Sequence, residues 1–304
     1  MSPEKNVLRP GILAADGTDL VALYQLDQRP PRGGMLTRGD ANPKIGKGEK
    51  LGFYSAGLML APSDLSGYQL CPFASKGCRG ACLNVSGQGA IGLDLYGLNH
   101  CQVARIRRAR YVMAEPTAAM ADIVRELESC ERYALKIGMP LAFRFNVLSD
   151  LRPETMECYR DGVRFPNLME AFPDVTFYDY TKAPTQWRRD LCERSHPWPS
   201  NYSLTFSLSE SNGEQAAEEL ANGVNVAVPF TTPTTKKTAA DGSKEYRHAL
   251  PPSAMLNGVI AAVIDGDATD LRFKDPRGVI VGLRAKGTKA GKAGGVEAGF
   301  ILAA

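Results

Sequence analysis

The sequence predicts an α/β fold: a partial or distorted (β/α) barrel of mainly parallel strands, with a doubly wound parallel sheet as the alternative. Two observations carry this. From residue 141 onward, apolar runs of strand length recur, at 141–147, 175–181, 202–209, 224–230, 259–265 and 279–285. Helical stretches at about 153–171, 184–195 and 213–222 separate the first four of them, and alternation of this kind builds βαβ units. The runs are rich in Val, Ile, Phe and Tyr, as strands covered on both faces require.

The elements before residue 141 follow from local pattern. Residues 1–40 have few periodic apolar positions and contain the breaker run RPPRGG at 29–34, so they predict an irregular N-terminal arm. The remainder, 41–304, predicts a single domain that carries a cysteine loop at 71–82. Short strand-like pieces lie in 41–70, one or two of which add to the six strands. A helix is expected over 98–113. A longer one is expected over 116–137, where Pro116 suits a first turn and Met120, Ile123, Val124, Leu127, Ala134 and Ile137 recur at helical spacing. Gly138 and Pro140 stop it.

Composition narrows the function classes. Of the 304 residues, 44% are hydrophobic and 23% charged, a balance that can bury a large core without disulfides. No run approaches about 18 consecutive apolar residues, so no membrane helix is expected. The opening MSPEKNVLRP has no apolar signal-peptide core, which predicts a cytoplasmic protein. Seven cysteines, an odd number, are not distributed as a disulfide framework. Cys101, Cys130, Cys158 and Cys192 fall in stretches that read as helical.

The other three cysteines form the sharpest motif, Cys71-x6-Cys78-x3-Cys82, with Gly77 and Gly80 freeing the backbone between them. Thiolates gathered on a short loop suit a soft or borderline metal. Three thiolates predict an iron–sulfur cluster, a 4Fe-4S centre with one iron open to substrate. Structural zinc is the alternative, with His100 or Cys101 as fourth ligand; the plainest reading is three buried packing residues. The spacing is neither the C-x3-C-x2-C of radical S-adenosylmethionine enzymes nor the paired C-x2-C of zinc ribbons.

Polar residues cluster where predicted strands end. Asp150 follows the first strand, Asp179 and Lys182 the second, Glu210 and Asn212 the third. Parallel strands direct such ends to one face, where ligands bind. These five are the candidate catalytic residues: Lys182 for an anion or leaving phosphate, Asp150 or Glu210 for accepting a proton. The plainer alternative is an Asp179–Lys182 ion pair with the rest capping helices. Net charge is only +3, but Arg105, Arg107, Arg108 and Arg110 crowd one helix, and Lys286 and Lys289 sit in a Gly-rich tail. They are the candidate phosphate contacts for a nucleic acid, against the alternative of a solvated helix face.

The segments SGYQLCPFASKGCRGACLNVSGQGA, FRFNVLSDL, FPDVTFYDYTK, NYSLTFSLSESN, GVNVAVPF and VIDGDATDLRFKDPRGVIVGLRAKG resemble the bacteriophage gene-product-88-like family. The likeness spans about residues 66 to 287. It implies a phage origin, a bacterial host's cytoplasm and a shared three-cysteine site. A looser similarity extends to phage proteins that resemble radical S-adenosylmethionine barrels. With that context, the sequence predicts an iron–sulfur enzyme that modifies a base in double-stranded DNA. In its most concrete form, an amino acid co-substrate such as glycine is transferred onto an activated 5-methyl-substituted uracil. A radical S-adenosylmethionine-type enzyme and a non-enzymatic DNA-binding protein with structural zinc are the rivals.

Overall fold

A computed structural model describes residues 10–39, 45–232, 234–238 and 244–304, with side chains of 45, 234–238 and 244–248 left aside. Residues 1–9 and 40 of the predicted N-terminal arm lie outside the described residues.

Fourteen strands are described, and nine make one continuous path. They are β1 (Leu36–Arg38), β2 (Tyr54–Leu58), β3 (Leu141–Arg144), β4 (Cys158–Arg160), β5 (Val163–Phe165), β6 (Thr176–Thr181), β7 (Tyr202–Ser207), β8 (Val226–Thr231), β9 (Thr234–Thr238), β10 (Lys244–His248), β11 (Ser253–Leu256), β12 (Val259–Asp265), β13 (Ile280–Arg284) and β14 (Leu302–Ala303). The path runs β1-β2-β3-β6-β7-β8-β13-β12-β11. Neighbours from β2 to β12 are parallel, and the outermost strands β1 and β11 are antiparallel to theirs. The edges do not pair with each other, so the fold is a mixed, mostly parallel sheet left unclosed by hydrogen bonds.

All six predicted strands are present, each within about two residues of its expected limits at the start and up to three at the end. The helices are α1 (Leu20–Leu23), α2 (Lys76–Gly80), α3 (His100–Ala114), α4 (Pro116–Lys136), α5 (Leu168–Ala171), α6 (Thr185–Glu193), α7 (Gly213–Ala221) and α8 (Lys289–Glu297). The expected helix at 153–171 is mostly absent. The β4–β5 hairpin turns at Asp161-Gly162, both with positive φ, and only the four-residue α5 follows. An Asp-Gly turn between short apolar runs is a hairpin signal strong enough to override weak helical spacing. The Gly-rich tail holds α8, whose Thr288 side chain caps the amide of Gly291.

The arm is less irregular than its composition suggests. Leu26 and Met35 are fully buried in the main core, and β1 extends the sheet along β2. Among the described residues no helix is long and apolar enough to cross a membrane.

Two features of the topology prepare a site. Strand order is sequential from β2 to β8 and then reverses, because β13 lies between β8 and β12. Reversal of this kind opens a crevice beyond the strands' C-terminal ends. Secondly, β7 pairs with β8 at Val226 and Ala227, whereas β14 pairs with β8 at Phe230 and Thr231. Since β13 occupies the other edge of β8 as far as Phe230, the chain's last strand takes over the edge that β7 leaves. That brings Phe300 and Ile301, just before β14, to the C-terminal rim.

Candidate functional site

A cavity of about 210 Å³ lies at the C-terminal ends of the parallel strands. Its floor comes from Ala227 and Pro229 of β8 and Leu283 of β13, the two strands at the reversal. One wall is the segment Asn146–Asp150 that follows β3, and another is Tyr180–Lys182 at the end of β6. The cysteine loop and Phe300 and Ile301 complete it. All three sulfur-bearing residues of the motif, Cys71, Cys78 and Cys82, line this one space together with Asp150 and Lys182.

The cysteine loop is held over the sheet by several ties. The Asp150 amide donates to Leu70 O at 2.9 Å. Ser75 caps α2 by accepting from the Cys78 amide at 3.2 Å. The Glu210 carboxylate accepts from Ser75 Oγ and from the Gly77 amide, both at 2.6 Å. Glu210 is therefore a latch between the end of β7 and the start of α2, outside the cavity lining. Burial opposes its charge, but the Ser75 hydroxyl and Gly77 amide hold it below its ordinary value. On the far side α2 rests on α8. A Cβ on Gly291 would sit 3.0 Å from Gly80 O, and one on Gly295 would sit 3.2 Å from Ala81 Cβ.

The metal reading of the motif requires correction. Among the described residues no three His, Cys, Asp or Glu side chains are gathered so that they could hold a metal ion. The thiols share a wall without converging. Cys71 Sγ accepts from the Ser63 amide at 3.2 Å and faces Leu148 O at 3.7 Å. Burial pushes the Cys71 thiol up to about 12 and also raises Cys82, which favours the neutral S–H that a ligand would have to lose. The suggested fourth ligands are turned to each other, with His100 Nε2 3.3 Å from Cys101 Sγ. All seven cysteines are free thiols. Neither the iron–sulfur cluster nor the structural zinc has its donor set, and the S-adenosylmethionine alternative loses the cluster it depends on. Cys130 and Cys192 are buried in α4 and α6, as helix packing predicts, but Cys158 lies in β4.

The remaining candidates separate by depth. The Lys182 amide donates to Asp150 Oδ2 at 2.9 Å, joining two neighbouring strand ends. Asp150 is partly buried, and desolvation raises its carboxyl against the opposing pull of Arg188, whose Nη1 lies 3.7 Å away. Asp179 lies beneath the cavity. It accepts from the Asn146 amide at 2.6 Å, from Asn146 Nδ2 at 3.2 Å and from Tyr202 Oη at 3.0 Å. Burial pushes it up to about 7 although Arg144 stands 4.0 Å away. Its role is to position Asn146 and the loop that carries Asp150. Asn212 is local: its Oδ1 accepts from the Ser209 amide at 2.6 Å, and its Nδ2 donates to Ser207 O. No Asp179–Lys182 ion pair forms.

Cations supply most of the polar character that strand-end reasoning alone overlooked. Arg144, Arg284 and Lys286 also line the cavity, but each is neutralised. Arg144 pairs with Asp270 at 3.1 Å, Arg284 with Asp265 at 2.7 Å, and Lys286 with Asp267 at 2.5 Å. The Lys182 ammonium differs: among the described residues it makes no ion pair, and it lies 5.6 Å from the centre of the Phe300 ring. Arg284 and Asp267 lie at and just beyond the ends of β13 and β12, so the strand-end rule reaches them once those limits are known. Nothing in the sequence marked Phe300, which arrives only because β14 docks on β8.

The arginines of α3 point into the protein. Arg105 is buried and donates to Asn84 O and Oδ1, both at 2.9 Å. Arg107 donates to Tyr24 O at 2.9 Å, and Arg108 to Gly34 O at 2.7 Å and Met59 O at 2.9 Å. Arg110, 1% exposed, holds Asp27, Pro10 O and Ser66 O. Lys289 is exposed on α8.

No curated protein and no solved structure matches the chain. A family model described as gene product 88 matches residues 35–299, which takes in strands β1 to β13, the cysteine loop and the cavity lining except Phe300 and Ile301. The chain belongs to the gene product 88 family of phage proteins.

Proposed function

We propose that the protein is a transferase whose active site is the cavity at the C-terminal edge of the sheet, acting on a small anionic substrate. The observation that carries this is the pairing of Lys182, a cation without an ionic partner among the described residues, with the partly buried Asp150 in one mainly apolar space. In such a space a cation binds an anion far more strongly than it would in water. A carboxyl group raised by burial is suited to accept a proton near neutral pH.

In the reading brought from the sequence, an amine, such as that of glycine, attacks the activated methyl carbon of a 5-methyl-substituted uracil. The new N–C bond forms as the C–O bond to a phosphate group breaks. The phosphate leaves onto Lys182, and Asp150 takes the proton from the amine. The apolar surfaces of Val147, Leu148, Leu283, Phe300 and Ile301 keep competing water from the carbon. The thiols of Cys71, Cys78 and Cys82 contribute a soft wall.

The test is calorimetric titration with inorganic phosphate. The parent is expected to bind, and Lys182→Ala to bind at least about tenfold more weakly, the loss of one charge-assisted contact. Equal affinity of parent and Lys182→Ala, or no binding by the parent, removes the anion site and with it this reading.

A further inference from the structure

Three segments bring reactive side chains to the cavity, and each also sends one large side chain outward within five residues. The cysteine loop places Cys71 inside and Phe73 outside. The loop after β3 places Asp150 inside and Arg152 outside. The segment after β6 places Lys182 inside and Trp187 outside. The three outward side chains meet. The rings of Phe73 and Trp187 are 5.6 Å apart at 65°, and the Arg152 guanidinium lies 5.5 Å from the centre of the Trp187 ring.

This cluster is not core that happens to reach the surface. Phe73 and Trp187 are each 41% exposed, and Arg152 is exposed. Two aromatic rings held against each other in water leave apolar area uncovered that burial elsewhere would have removed. Nearby, α2 carries exposed Lys76 and Arg79, and α8, packed against it, carries exposed Lys289. Only Arg79 of these three has an ionic partner among the described residues, Asp64 at 3.5 Å. Aromatic rings that present π-surface beside cations match the two faces of an unstacked nucleotide, a flat base and a phosphate.

We propose that Phe73, Trp187 and Arg152 form a platform that stacks a base of single-stranded nucleic acid at the cavity mouth. The inference deepens the transferase reading by naming the class of acceptor. It differs from the double-stranded DNA contact expected along α3, because the rings need a base whose face is free.

The experiment uses the full chain and a fluorescein-labelled single-stranded oligothymidine, read by anisotropy. The parent is expected to bind it more tightly than the same length of duplex. Trp187→Ala and, separately, Phe73→Ala are expected to weaken binding by about tenfold, the usual effect of losing one stacking partner. Arg152→Ala is expected to flatten the slope of log affinity against log salt by about one. In a Trp198→Phe background, where Trp187 is the remaining tryptophan, the oligonucleotide is expected to quench the emission. Thermal melts check that the aromatic variants fold. If Trp187→Ala and Phe73→Ala both fold and bind the oligonucleotide as the parent does, or if duplex binds more tightly than single strand, the platform is wrong. Inorganic phosphate keeps the two ideas apart. Lys182→Ala is expected to lose phosphate but keep the oligonucleotide, and Trp187→Ala the reverse.

Discussion

Asp150 accepts the main-chain N–H of Lys182 at 2.9 Å, so an acid and a cation that both line the cavity are fixed to each other across the segments that follow two neighbouring strands. β3 and β6 pair directly, at Ala142 with Thr176 and Phe143 with Phe177. Asp150 sits on the loop that follows β3 and Lys182 directly follows β6, so this hydrogen bond ties that loop to the edge of the sheet.

Asp150→Asn tests the cost of that arrangement. Burial raises the folded-state value of Asp150 above its ordinary one. The stability it contributes is therefore present below the unfolded value of 3.8 and is lost as pH rises through the folded value. Asparagine keeps an oxygen for the Lys182 amide and carries no charge. The variant is expected to melt higher than the parent at neutral pH, with the difference vanishing toward pH 3 to 4, and to lose turnover. Melting curves across that pH range decide it; a variant that melts lower at neutral pH would show that the ionised carboxylate is stabilising.

Arg188 supports Asp150 from below. It is fully buried, with Nε 2.8 Å from Glu154 Oε1, Nη2 on the other Glu154 oxygen and on Tyr202 Oη, and Nη1 3.7 Å from Asp150. Arg188→Ala leaves Glu154 charged and buried, which typically costs about 3–5 kcal/mol. Arg188→Lys is expected to recover little, because an ammonium cannot reproduce the planar fork. Urea unfolding of both variants measures this, and a loss below about 1 kcal/mol for the alanine variant would mean that Glu154 finds another partner.

Much of this was legible in the sequence, and the failures have physical causes. The strands after residue 141 announced themselves because buried parallel strands are continuous apolar runs, and their polar ends pointed to Asp150 and Lys182. The same rule also selected Asp179, Glu210 and Asn212, which do not line the cavity: strand-end polarity does not say whether a side chain faces the cavity, the core or a neighbouring loop. The cysteine spacing kept three thiols on one loop, and all three line the cavity. It could not show that Cys71 would turn to Ser63 and Leu148, contacts with segments before and after it in the chain. Arg110 read as surface charge because its partners, Pro10, Asp27 and Ser66, are 44 to 100 residues away in sequence.

The seating of α2 depends on a missing side chain. A Cβ on Gly77 would stand 2.7 Å from Phe300 Cβ and 2.9 Å from Glu210 Oε2. Gly77→Ala is expected to push α2 off its latch, at a cost of about 1–3 kcal/mol, and to speed labelling of Cys78 and Cys82 by a maleimide. Gly80→Ala is the control. Nothing lies within 4 Å of its added Cβ, so the alanine is expected to be neutral or to stabilise by up to about 1 kcal/mol. Equal labelling rates in the two variants would dissociate the latch from the exposure of the thiols.

Every arginine of the α3 cluster donates to main-chain or side-chain oxygens of the protein itself, and three of them reach segments before α2: Arg107 to residues 24 and 25, Arg108 to 34 and 59, Arg110 to 10, 27 and 66. A guanidinium so engaged can contact a phosphate only by giving up those bonds. Replacing Arg107 and Arg108 together by alanine leaves the carbonyls of Tyr24, Gly34 and Met59 without these donors. It is expected to cost about 1.5–3 kcal/mol for each charged donor removed, seen as a lower urea midpoint. The salt dependence of oligothymidine binding is expected to stay that of the parent, whereas Arg152→Ala changes it. Should the double variant keep its stability and flatten the salt slope by about two, then α3 carries the phosphate contacts and its arginines exchange their internal partners for the nucleic acid on binding.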